Sequence, residues 1–92
     1  MPADQPRHQL EIHFCDGCDL RAPALALSSE VLDQWASELA RVSLVPTADE
    51  RFDVVLDGET IFSMAERGRP PEPGEMNTVI ESRLGPPPGF GA

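Results

Sequence analysis

Residues 9–14 alternate strictly between apolar and polar side chains, with the apolar ones at Leu10, Ile12 and Phe14. A period of two is typical of a β-strand that buries one face. A second run, at residues 41–45, ends at Pro46 and predicts a second strand that stops before the proline. The fold is therefore predicted to begin with a strand whose apolar side chains enter a core.

Two further strand patterns, Phe52–Leu56 and residues 60–64, flank the dipeptide Asp57-Gly58. This dipeptide favours a type I′ turn, so the two strands are predicted to form an antiparallel hairpin. Closure by two residues pairs Leu56 with Glu59, and it also predicts pairing of Val54 with Ile61. The core face of the hairpin would then carry Phe52, Val54, Leu56 and Ile61. Two apolar residues would lie on the opposite face, as a small contact patch or as isolated exposed residues: Val55 and Phe62.

Residues 19–40 contain no glycine, and leucine recurs at every seventh position, at Leu25, Leu32 and Leu39, with Val31, Trp35 and Ala36 between them. This pattern predicts one long amphipathic helix with these residues on its apolar stripe. Pro23 fits the first turn, so the helix is predicted to start near residues 19–22. A second helix is predicted after Pro73, with a stripe at Met76, Val79, Ile80 and Leu84.

The predicted order is β-α-β-β-β-α within residues 9–84, with tails rich in proline and glycine at residues 1–8 and 85–92. A strand, a helix and a strand make a right-handed crossover, so the first two strands are parallel. The loop at residues 46–51 is short, and it allows the third strand to lie beside the first. We therefore expect an α/β fold in two layers, a four-stranded mixed sheet of order 2-1-3-4 with both helices on one face.

This topology brings three segments to one edge of the sheet: residues 15–18, the loop at residues 46–51 and the loop at residues 65–71. A shallow cleft between them is the predicted site, with Pro46 as a wall. The last loop carries two cations, which are either solvated surface charges or contacts for a charged substrate such as glutathione: Arg67 and Arg69.

The chain of 92 residues has a formal net charge of -9, and all 7 of its cations are arginine. This acidic balance repels phosphate backbones, so we expect no nucleic-acid partner. No apolar stretch approaches the ~20 residues that span a bilayer, so we expect no membrane partner. The first residues lack the pattern of a secretory signal, which predicts a cytoplasmic protein. We expect a monomer or a weak homodimer.

The only two cysteines lie in the motif Cys15-Asp16-Gly17-Cys18, between the first strand and the first helix. A pair with this spacing suggests chemistry more than the stapling seen in small secreted domains. The sulfurs can form a reversible disulfide across a tight turn, and Gly17 is expected to give that turn its backbone freedom. The sequence thus predicts a redox pair.

Charged residues beside the motif act in opposite directions on a thiolate. The positive end of the following helix stabilises it, and Arg21 would add to this effect. Asp16 and Asp19 would oppose it. We expect a thiol that is only modestly activated, and a disulfide of reducing potential.

Two other roles for the cysteines stay open. His13, Cys15 and Cys18 could bind a metal ion with a fourth ligand from His8 or a carboxylate, although structural zinc sites usually carry a second Cys or His pair. The two thiols could also simply pack at the strand end. We expect no metal and no resident cofactor.

Six motifs span most of the predicted domain: Ile12-His13-Phe14-Cys15-Asp16-Gly17-Cys18, Arg21-Ala22, residues 42–46, Phe52-Asp53-Val54, Leu56-Asp57-Gly58-Glu59, and Gly68 with Pro71-Glu72-Pro73. Together they resemble the Rdx family, which is related to selenoproteins W, T and H, and they look closest to its bacterial selenoprotein-W-like branch. The resemblance implies a thioredoxin-like βαβββα fold with a CxxC or CxxU redox motif after the first strand.

The resemblance leaves the reactive sulfur undecided. In the selenocysteine members that residue occupies the position matching Cys18, whereas the thioredoxin mechanism favours Cys15, nearer the strand end. The chain departs from the family pattern at Pro23, at the aspartates around the motif, and at Pro70, where members often carry an aromatic residue. Each departure could weaken activity or change the partner.

These observations predict a thiol–disulfide redox protein that exchanges with protein thiols or disulfides. Glutathione would be a co-substrate, and thioredoxin-type systems are partners implied by the resemblance. The alternative is a non-enzymatic interaction module of the same fold, with redox state as a switch. Single Cys→Ser variants would discriminate the two, because a module would keep its partner without the cysteines.

Overall fold

The structure is a computed structural model that describes residues 8–86. The four strands are β1 (His8–Cys15), β2 (Leu39–Thr47), β3 (Phe52–Leu56) and β4 (Glu59–Ser63). The helices are α1 (Arg21–Trp35), the short α2 (Met64–Arg67) and α3 (Glu75–Leu84). Single 3₁₀ turns precede and follow α1, at Asp16–Cys18 and Ala36–Glu38.

The strands form one sheet of order β2-β1-β3-β4. β1 runs parallel to β2 and antiparallel to β3, and β3 runs antiparallel to β4. This is the predicted mixed sheet, and it follows from the crossover through α1 and the tight turn between β3 and β4. β1 is therefore a central strand, and its last residue, Cys15, lies at the edge where β2 and β4 also end.

One hydrophobic core lies on one face of the sheet. Alternate residues of β1 enter it, and so do residues of both α1 and α3, which confirms that the two long helices cover the same face. At the far end of α1 the Trp35 indole Nε1–H donates to the Gly85 carbonyl at 3.2 Å. This bond ties α1 to the end of α3.

The buried stripe of α1 differs from the predicted one. Val31 and Trp35 are buried as predicted, together with Ala24 and Leu27, whereas Leu25 and Leu32 are 49% and 46% exposed. Positions three and four apart stay on one face of a helix with 3.6 residues per turn, and the leucine row lies beside that face. Leu39, the third leucine of the row, is the first residue of β2.

The hairpin register is also different from the predicted one. Leu56 pairs with Glu59 as expected, but the register shifts between Val54 and Val55, so that Val54 pairs with Phe62. Ile61 is the extra residue of a β-bulge. The bulge turns Phe62 into the core, where it is 3% exposed, so the patch predicted for Val55 and Phe62 does not form.

Several segment boundaries also differ from the predicted ones. β2 continues through Pro46, which pairs with Phe14; an edge strand tolerates proline because its outer side has no neighbour to bond. α2 occupies the start of a segment predicted as loop. His8 begins β1 and Gly85 caps α3, each one residue inside a predicted tail, and the rest of the tails lies outside the described residues apart from Pro86.

Candidate functional site

The cysteine motif turns the chain from β1 into α1. Cys15 ends β1, the 3₁₀ turn Asp16–Cys18 follows, and Asp19 takes a left-handed conformation with φ 63 before α1 begins. The backbone freedom expected of Gly17 is thus needed at Asp19 instead, a residue type that tolerates positive φ better than most. The turn places Cys18 just ahead of the N-terminal end of α1.

The two cysteines form a disulfide with an S–S distance of 2.11 Å and a Cα–Cα distance of 5.4 Å. Their surroundings differ, because Cys15 is 2% exposed within the core cluster whereas Cys18 is exposed. A molecule from solvent therefore reaches Cys18, and Cys15 lies behind it.

The β2–β3 loop supports the buried half of the motif. The Cys15 backbone N–H donates to the Arg51 carbonyl at 2.9 Å, and Cys15 pairs with Thr47 of β2. Pro46 is exposed beside Phe14, one position before this pair, and every described peptide bond is trans. The predicted meeting of this loop with the motif is thus found, at the backbone of Cys15.

An ion pair crosses the motif. Arg21 donates from Nε to Asp16 Oδ1 at 2.6 Å and from Nη2 to Asp16 Oδ2 at 2.9 Å. The hydrogen bonds from Arg21 lower the pKa of the Asp16 carboxyl, and the same bonds raise the pKa of Arg21. Two charges that were predicted to act in opposite directions on the thiolate therefore bind each other.

An open depression of about 530 Å³ lies beside the motif. Its lining combines charged residues of the turn with apolar residues of α1: Asp16, Asp19, Arg21, Ala22 and Leu25. This depression is bordered by α1, rather than by the loops at residues 46–51 and 65–71. Leu25, which the predicted stripe placed in the core, forms part of this surface.

The two arginines predicted as substrate contacts are bound by one carboxylate. Arg69 donates to both oxygens of Glu75, at 2.8 and 3.0 Å, and Arg67 donates to Glu75 Oε2 at 3.4 Å while its guanidinium lies 5.5 Å from the centre of the Phe62 ring. The bonds from Arg69, helped by the Glu72 backbone N–H, lower the pKa of Glu75 to about 2. Glu75 thus fixes the loop before α3, a role that its position in the first helical turn did not reveal.

The histidines of the alternative metal site have other partners. His13 Nε2 lies 2.8 Å from Glu11 Oε1, and His8 Nδ1 lies 2.5 Å from Asp57 Oδ2. Within residues 8–86 no three His, Cys, Asp or Glu side chains are grouped to hold a metal ion. No helix in that same range is long and apolar enough to cross a membrane.

The fold and the motif define a small α/β protein with a CxxC pair at the end of its first strand. The family model of the Rdx family matches residues 9–82, and the chain belongs to that family. No curated protein matches it.

Two solved structures share the fold. The selenoprotein W-related protein from Vibrio cholerae is 26% identical with a TM-score of 0.80, and the match covers 85% of this chain and 98% of that one. A protein from Bordetella parapertussis is 22% identical with a TM-score of 0.80, over 85% of this chain and 99% of that one. The similarity therefore extends over nearly the whole length of both relatives.

Proposed function

We propose that the protein is a thiol–disulfide redox protein that cycles between the Cys15–Cys18 disulfide and the dithiol. The observation that carries this proposal is the disulfide itself, formed between a buried and an exposed cysteine at the start of a helix. Membership of the Rdx family supports a redox function of this type.

The difference in exposure suggests a role for each sulfur. A substrate thiolate attacks Sγ of Cys18, the bond between the cysteines breaks, and its electron pair leaves on Cys15. A second substrate thiolate then attacks the substrate sulfur of the mixed disulfide and releases Cys18 as a thiolate. The substrate is oxidised to a disulfide, and the protein gains two electrons and, with its two thiols protonated, two protons. In the reverse direction Cys18 attacks a substrate disulfide, and Cys15 resolves the mixed disulfide.

The N-terminal end of α1 assists Cys18 in both directions. Unpaired N–H groups at a helix start favour a negative charge within about one turn of the end. Cys18 lies three residues ahead of Arg21, the first residue of α1. Cys15 is six residues ahead of that helix start and buried, so we assign the favoured thiolate to Cys18.

We further propose that the reaction partners are glutathione or protein thiols in the reducing cytoplasm, with thioredoxin-type systems resetting the pair. Glutathione would act as a co-substrate and not as a resident cofactor. The net charge of -9 supports exclusion of nucleic acid as a partner.

The test is a redox titration of the purified chain in buffers of reduced and oxidised glutathione. Free thiols are trapped by alkylation, and the intact protein is weighed with and without a chelator. We expect a two-electron conversion to the internal disulfide, and a stable mixed disulfide with glutathione in the Cys15→Ser variant. Thiols that stay unreactive until the protein is denatured would contradict the proposal, and so would a metal ion that must be stripped first.

A further inference from the structure

The ion pair between Asp16 and Arg21 spans the segment that holds Cys18. Asp16 opens the turn, Arg21 begins α1, and two hydrogen bonds of 2.6 and 2.9 Å join them. We propose that this pair tunes the reactivity of Cys18, because Asp16 neutralises Arg21 and so prevents the guanidinium from stabilising a Cys18 thiolate. The proposal rests on the proposed function, in which Cys18 is the exchanging sulfur.

Among the charged residues that line the depression beside the motif, only Arg21 carries a charge that can stabilise a thiolate. Of the residues that line it, Arg21 is the only cation, against Asp16 and Asp19. Asp16 binds both the Nε and the Nη2 groups of Arg21, whereas Asp19 has no ion pair within residues 8–86. The one cation of this lining is therefore neutralised by Asp16, whereas Asp19, the residue that follows Cys18 in the sequence, keeps an unpaired negative charge.

The basic side chains on the other elements next to the motif already contact carboxylates. On the β2–β3 loop, the Arg51 guanidinium lies 3.0 Å from Asp49 Oδ2 and 3.8 Å from Asp53 Oδ2. On β1, the His13 ring contacts Glu11. Neither of these two elements supplies an unpaired cation that could replace Arg21.

Each member of the pair has a distinct effect on Cys18. Asp16→Asn removes a negative charge and also releases Arg21, so both changes favour the thiolate. Arg21→Gln removes the positive charge and releases Asp16, so both changes disfavour it. If the pair only held the turn in shape, the two substitutions would break the same bonds and would change the reactivity of Cys18 in the same direction.

The experiment measures Cys18 alone, in the Cys15→Ser background, as the rate of alkylation by the uncharged reagent iodoacetamide against pH. We expect Asp16→Asn to raise the thiolate fraction at neutral pH by about three- to tenfold and Arg21→Gln to lower it by a similar factor. Asp19→Asn is the matched control, because asparagine also tolerates positive φ and the change removes one charge without releasing Arg21. Asp19→Asn should raise the thiolate fraction of Cys18 less than Asp16→Asn does. The double variant Asp16→Asn/Arg21→Gln should be alkylated at close to the rate of the Cys15→Ser parent.

A second readout uses the chain with both cysteines, equilibrated with glutathione. Asp16→Asn should make the disulfide easier to reduce, and a tenfold change in the equilibrium constant corresponds to about 30 mV. Shifts of Asp16→Asn and Arg21→Gln in the same direction would overturn the proposal, and so would an effect of Asp16→Asn no larger than that of Asp19→Asn. The alkylation assay does not require the protein to cycle between disulfide and dithiol. Cysteines that fail to form and break the disulfide would therefore refute the proposed function. Opposite changes in the Cys18 alkylation rate of Asp16→Asn and Arg21→Gln would still uphold the tuning role.

Discussion

The bulge at Ile61 makes Phe62, and not Ile61, the main contribution of β4 to the core. Phe62 is 3% exposed and pairs with Val54, whereas Ile61 is only partly buried at the rim. Phe62→Ala should lower the free energy of unfolding by about 3–5 kcal/mol, the usual cost of truncating a buried phenylalanine. Ile61→Ala should cost roughly half as much, because part of the side chain already contacts water.

The magnitude is large for a protein of this size. A chain of 92 residues has a total stability of roughly 5–14 kcal/mol, so Phe62→Ala removes a large share of it. Urea denaturation followed by fluorescence measures the loss directly, because the single tryptophan, Trp35, is fully buried in the core and reports its exposure. Phe62→Leu, with an expected cost of about 1–2 kcal/mol, keeps the comparison measurable if the alanine variant does not fold.

An unbulged hairpin predicts the reverse order. In that register Ile61 enters the core and Phe62 faces solvent, so Ile61→Ala would cost more than Phe62→Ala. Val55→Ala is the control for a half-exposed position on the same hairpin and should cost less than about 1 kcal/mol. A loss below about 1 kcal/mol for Phe62→Ala, together with a larger loss for Ile61→Ala, would refute the bulged register.

Three further predictions test other parts of the fold. On α1, Leu27→Ala should cost about 2–5 kcal/mol in urea denaturation and Leu32→Ala less than about 1, and equal costs would contradict the exposed leucine row. The pKa of Glu75 lies at about 2 instead of 4.5, so its ion pairs stabilise the fold above about pH 4.5, and this contribution is lost as the pH falls toward 2. Glu75→Gln should therefore lose less stability than the parent between pH 4.5 and 2. An acid titration of stability that is the same in both proteins would contradict the role of Glu75. Trp35→Phe, followed by circular dichroism, should cost at least about 1–2 kcal/mol, because it leaves the Gly85 carbonyl without its donor and also removes part of a fully buried side chain, and a variant as stable as the parent would contradict both contributions.

The sheet order could be predicted from the sequence because each step rests on a strong local signal. Strict alternation identified β1, the crossover rule set β2 parallel to it, and Asp57-Gly58 fixed the first pair of the hairpin. The bulge could not be predicted, since a turn specifies only the pair next to it and one extra residue reverses every later face. The leucine row of α1 was predicted to be buried for a related reason, because seven-residue spacing alone does not say which side of a helix meets the sheet.

At the candidate site, the sequence identified the cysteine pair but not its surroundings. Spacing alone shows that Cys15 and Cys18 can bond, and the difference in their exposure depends on how β1 ends in the core. The partners of Arg21 and Arg69 were also unpredictable, since each arginine carries several donors and several carboxylates lie nearby in sequence. The choice of Asp16 and Glu75 follows from the turn before α1 and the loop before α3.

Pro46 has a consequence for association between copies of this protein. β2 is an outer strand, and its exposed edge, which includes the 38% exposed Leu44, could template the addition of a strand from another chain. Proline lacks the N–H group that such an added strand would need as a donor. The residue that the sequence suggested as a wall of the site thus also removes one donor from the free edge of the sheet, at the same end of the molecule as Cys18.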